Sequence, residues 1–151
     1  MRSLMFSVLA TISLGACTPP ASTIPSSSTA GPGPQILSAF DAGIIFADTC
    51  LIRGPNFENS IEGLRVHNVT QNASTGTYYH NSANLSVRIT PDQCSMVYGT
   101  SQDVDAAVAG LGQGSASILQ DRPAPAGISV TSRVAGDGLR YFRLGIQSPV
   151  Q

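Results

Sequence analysis

From residue 85 onward the chain alternates strictly, with Leu85, Val87 and Ile89 interleaved with Ser86, Arg88 and Thr90. A period of two puts one set on each side of a strand, so this segment has an apolar face and a polar face. Thr90-Pro91-Asp92-Gln93 supplies turn residues, and Cys94 to Gly99 reads as a returning strand. A hairpin that is apolar on one side is not stable alone in water and needs a second layer over that side.

The flanking sequence offers that layer. Leu37, Phe40, Ile44, Ala47 and Leu51 recur at steps of three and four, which predicts a helix starting at Pro34 and running to about Ile52. Arg53-Gly54-Pro55 stops it, and Asn56 is placed to cap a short helix with Phe57, Ile61 and Leu64 on one face. Ser101 or Asp103 caps a further helix carrying Val104, Val108 and Leu111, which Gly110, Gly112 and Gly114 are expected to end. Ile128, Val130 and Val134 then alternate with Ser129, Thr131 and Arg133. Gly136-Asp137-Gly138 turns the chain into a last strand with Phe142, Leu144 and Ile146 on one face. The expected fold class is α+β: a two-layer domain over residues 35–151, an antiparallel sheet of four or five strands with helices on one face. The order is helix, hairpin, helix, hairpin, and residues 65–84 carry no clear period.

The start of the chain has a different character. Arg2 precedes an apolar run from Leu4 to Leu14 broken only by Ser7, Thr11 and Ser13. That run is shorter than the ~20 residues a spanning helix needs. A basic start, a short apolar core and small residues at its end predict a secretory signal over residues 1–16. Leu14-Gly15-Ala16-Cys17 resembles the lipobox of bacterial lipoproteins. The resemblance implies cleavage before Cys17, acylation of its sulfur and membrane anchoring; Thr18, where an Asp would signal inner-membrane retention, implies the outer membrane, facing the periplasm or the cell surface. The alternative is ordinary cleavage after Ala16, with Cys17 an unmodified residue. Residues 18–34 hold five prolines, no charge and one large apolar side chain, Ile24. With Cys17 they read as a disordered tether reaching roughly 25 to 50 Å.

With Cys17 acylated, Cys50 and Cys94 remain, in a chain that leaves the cytoplasm, and a disulfide is expected. It would staple the end of the first helix to the start of a strand. The competing reading makes one of them a thiol nucleophile with His67 or His80.

The rest of the chemistry is sparse. Eight basic residues, all Arg, stand against nine acidic ones, for a formal net charge of −1, and no Arg run forms, so nucleic acid is not an expected partner. His67 and His80 lie thirteen residues apart without a matching cysteine pair, so no metal site is expected. Gly110-Leu111-Gly112-Gln113-Gly114 follows a helix, where a phosphate loop would follow a strand, and no serine stands in a Gly-x-Ser-x-Gly elbow; no cofactor and no catalytic set are read. Tyr78, Tyr79 and His80 form a candidate binding surface at a strand end.

Gly76-Thr77-Tyr78-Tyr79-His80, Asn84-Leu85-Ser86-Val87 and Cys94-Ser95-Met96-Val97-Tyr98 together resemble small exported proteins of alphaproteobacteria, a likeness that brings no activity with it. The functional expectation is a non-enzymatic envelope lipoprotein, a binding or interaction module. Its partners are the membrane, through lipid on Cys17, and an envelope protein or the cell wall. The alternatives are a small-ligand carrier and a hydrolase using His80 with a nearby carboxylate.

Overall fold

The computed structural model describes residues 35–54 and 56–148; the expected leader, Cys17 and the tether fall outside the described residues. Gln35 is held in a parallel bridge to Ala83, and the first helix starts only after Ser38. The Ser38 hydroxyl accepts a hydrogen bond from the Asp41 amide at 3.0 Å, a side-chain cap for α1 (Ala39–Phe46). The helix then widens into a single π-helical turn (Ala47–Leu51), and α2 (Ser60–Val66) follows. Asp103 caps α3 (Val104–Leu119), its carboxylate accepting from the Ala106 amide.

Two sequence expectations need correction here. The glycines at 110, 112 and 114 do not end α3, which continues to Leu119. Gly110 and Gly114 lie where α3 meets α1, while Gly112 faces away from the contact. A Cβ on Gly114 would run into the Phe40 carbonyl, one on Gly43 into the Leu111 carbonyl, and one on Gly110 would come within 2.8 Å of the Ala39 Cβ. Helix axes normally stand 8–10 Å apart because side chains separate them, and this seam of small residues brings two backbones into contact. The second correction follows from the first. The buried stripe of α1 is Ala39, Ala42, Gly43, Ile45 and Phe46, while Phe40 is 43% exposed; on α2, Leu64 is buried and Ile61 is 40% exposed.

The sheet comprises β1 (Val69–Gln71), β2 (Tyr78–His80), β3 (Leu85–Thr90), β4 (Gln93–Thr100), β5 (Ser129–Val134) and β6 (Arg140–Gln147), in the order β1-β2-β3-β4-β6-β5. All neighbouring pairs are antiparallel. The β3–β4 hairpin has Thr90 opposite Gln93, so Pro91 and Asp92 form the turn. Residues 65–84 supply a second hairpin, β1–β2, which brings the described sheet to six strands, one above the expected range. The architecture is α+β.

Leu85, Val87, Met96, Tyr98, Phe142, Leu144 and Ile146 point to the helical side and join Phe46, Leu64, Ala107 and Leu111 in one core. Cys50, in the π-helical turn, is bonded to Cys94 on β4, with Cα atoms 5.6 Å apart. The bond ties the helical layer to the sheet across 44 residues, a closure that stabilises by ~4 kcal/mol in the chain-entropy account. Val130 and Val134 point to the same side as the core yet are 46% and 60% exposed, because β5 is an edge strand that the helices do not reach.

Candidate functional site

The face of the sheet opposite the helices is uncovered among the described residues. Its side chains follow from the register. One row runs Arg88, Ser95, Gly145, Ser129; the next runs Tyr79, Ser86, Val97, Arg143, Thr131; the third sets Gly99 beside Tyr141 and Arg133. The short side chains of Ser86, Ser95 and Val97, with Gly145, lie among the longer ones of Arg88, Arg143, Tyr79 and Tyr141, which leaves a depression. The resulting cleft, about 510 Å³, is lined by Arg88, Arg133, Arg143 and Tyr141 together with Thr77, Ser86, Ser95, Val97 and Thr131 and the edge-strand residue Ser132, whose side chain the register turns to the helical side.

No carboxylate lines that cleft. Among the described residues, none of its three arginines has an acid within 4.0 Å; the ion pairs lie elsewhere, around Arg53 and His67. Asp137 stands at the rim, in the β5–β6 turn, and accepts from the Tyr141 hydroxyl at 2.7 Å and from the Leu139 amide at 3.0 Å. The Tyr141 hydrogen bond, then that of Leu139, holds the Asp137 carboxyl below its ordinary range, and the same bond pushes the Tyr141 hydroxyl up. Asp137 is therefore engaged with the ring and fixes its position. The ring itself lies over Gly99, where a Cβ would come within 2.9 Å of it.

The sequence-derived trio at residues 78–80 is divided by strand alternation. Tyr78 is buried in the core, whereas Tyr79 is exposed on the open face. Tyr79 shares a shallow depression with His80, Ser86, Val97 and Tyr141, and the last three also line or adjoin the arginine cleft, so the two are continuous. The His80 Nδ1 accepts from the Ser82 amide at 3.1 Å. Its basicity is lowered, first by burial and then by the nearby His67. No hydrogen bond between His80 and a carboxylate is present among the described residues.

The carboxylate expected beside His80 is found beside His67. Its Nε2 lies 3.1 Å from Asp48 Oδ2, and Arg53 continues the string, 3.6 Å from Asp48 Oδ1 and 3.4 Å from Glu62. The π-helical turn projects Asp48 toward His67, and such a turn inside a helix leaves no periodic signature in a sequence. A histidine oriented by an acid is two-thirds of a nucleophilic set. The adjacent Cys50 is consumed in the disulfide, and the hydroxyls of Thr49 and Ser60 are buried without a hydrogen-bond partner. Among the described residues no three His, Cys, Asp or Glu side chains gather as metal ligands, and no helix is long and apolar enough to cross a membrane.

Two further depressions lie among the described residues. An apolar groove of about 310 Å³ runs between α3 and the β5 side of the sheet, lined by Val108, Leu111, Leu119, Ile128, Val130 and Leu144. Val108, Ile128 and Val130 are exposed, so it is an open trough, not an enclosed cavity. A wider depression, about 990 Å³, lies between residues 56–61 and the β3–β4 turn, with Glu58 and Asp92 as its charged groups. Compared with known protein families, curated proteins and solved structures, the chain matches none of them.

Proposed function

We propose that this protein is an envelope-anchored, non-enzymatic binding module, held to a membrane by lipid on Cys17 and presenting its open sheet face to a partner in the envelope. One observation carries the reading: three guanidinium groups without acidic partners share a concave, hydroxyl-rich surface on the side of the sheet that the helices leave bare. Isolated surface arginines normally find acids or scatter; three convergent ones leave donors free for an incoming ligand. The buried disulfide supports an oxidising location. The hydrolase alternative has its histidine and acid at His67 and Asp48 but lacks an accessible nucleophile there, and the carrier alternative has an open trough where an enclosed cavity would serve better.

Crosslinking in intact cells followed by purification of the membrane-anchored protein tests this. The full chain is expected to carry a crosslinked partner, Arg88→Gln with Arg143→Gln to lose it, and Arg65→Gln on α2 to keep it. Loss of the partner from the α2 variant alone would overturn the assignment of the face. Anchoring has its own readout: Cys17→Ser is expected to move the protein from the membrane fraction to the soluble one.

A further inference from the structure

We infer that the ligand of the open face is an acidic glycan, a linear sugar chain bearing carboxylates, lying diagonally across the strands; this rests on the binding reading above. The register sets the geometry. Arg88 is on β3, Arg143 two strands away on β6 and one row further along, and Arg133 on β5 another row on. With strands about 4.8 Å apart and same-face residues about 6.8 Å apart along a strand, successive arginine Cα atoms lie about 12 and 8 Å apart on a diagonal path that bends by about 20° at Arg143. Three cations spaced along such a path match a chain with repeated negative charges, each carboxylate meeting a planar guanidinium fork.

The spaces between the arginines favour sugar over other polyanions. They hold Ser86, Ser95 and Thr131, neutral groups that both donate and accept hydrogen bonds, as sugar hydroxyls do, and one apolar side chain, Val97, beside Arg143. The rings of Tyr141 and Tyr79 stand at the side of the path, where they can pack against the apolar faces of pyranose rings. A lipid surface is flat and would meet a cleft only at its rim. A nucleic acid calls for a broader basic field than three arginines in a chain of formal net charge −1.

Calorimetric titration of the full chain in detergent with hexagalacturonate tests the inference, with maltohexaose as the neutral counterpart. Hexagalacturonate is expected to bind and maltohexaose not, with affinity falling as salt is raised. Arg88→Gln, Arg133→Gln and Arg143→Gln should each weaken binding about tenfold with thermal stability unchanged, while Arg65→Gln, the same change of charge on α2, leaves it intact. Equal binding of the neutral sugar, no binding of the acidic one, or tighter binding of single-stranded oligonucleotides or of anionic phospholipid vesicles would overturn it. If hexagalacturonate fails while crosslinking in cells remains dependent on Arg88 and Arg143, the glycan assignment falls and the binding module stands; if both fail, the face is not a binding surface.

Discussion

Tyr98 is fully buried, stacked at 5.5 Å on Phe142, and its hydroxyl has no hydrogen-bond partner among the described residues. Burial pushes its ionisation up to about 12, so it stays neutral throughout the physiological range. A buried hydroxyl without a partner costs desolvation that nothing offsets. Tyr98→Phe is therefore expected to hold or raise stability, by up to about 1 kcal/mol in urea unfolding, where loss of a bonded hydroxyl would lower it. His80 has the opposite pH character from a salt-bridged histidine. Its folded form binds protons more weakly than the unfolded chain, so stability falls as pH drops from the ordinary histidine value near 6.5 toward the lower folded one. Unfolding midpoints measured across pH 7 to 5 should show a shallower acid decline in His80→Asn than in the parent. At this scale the sequence was legible where a residue's neighbours along the chain decide its environment. The α3 cap was readable to within Ser101 or Asp103, and the structure uses Asp103; Cys50 and Cys94, 44 residues apart, were readable as a pair from the cysteine count. The partnership of His67 with Asp48, and the separation of Tyr78 from Tyr79, depended on a π-helical turn and a strand phase that residues 65–84 did not announce.

At the level of elements, the α1–α3 seam is the feature that sequence reasoning misread. Glycine is a poor helix former, so three glycines at alternate positions read as a stop. Packing reverses that judgement, since only glycine lets α3 lie against the α1 backbone. Two substitutions separate the effects. Gly112 has nothing within 4 Å of its would-be Cβ, so Gly112→Ala should stabilise by up to about 1 kcal/mol through helix propensity alone. Gly114→Ala adds the same methyl at the crossing and should destabilise by about 1 to 3 kcal/mol as the helices are forced apart. Denaturant midpoints of the two variants should thus move in opposite directions. The strands were more legible, because β3 and part of β6 bury one face and expose the other, and alternation records that directly, whereas central β4 is buried on both faces and was read from its place after the turn. Edge strand β5 kept its alternation without the burial, leaving the trough beside Val130.

For the molecule as a whole, the disulfide and the open face are the two consequences of the layered arrangement. The chain closes its apolar side with helices and a covalent bond, and reduction is expected to lower unfolding free energy by ~4 kcal/mol, read from denaturant curves with and without reductant. Before reduction, alkylation should find neither Cys50 nor Cys94 reactive. The other side remains bare and collects arginines from positions 88, 133 and 143, a convergence invisible to any search for a basic run because strand order brings β3 onto the same face as the later hairpin β5–β6. The proposed function requires that side to be the one that meets a partner. A photoreactive side chain placed in living cells at Thr131, between the arginines, and separately at Val108, in the trough, decides it: covalent adducts from Thr131 and none from Val108 are predicted, and adducts from Val108 with none from Thr131 would contradict it.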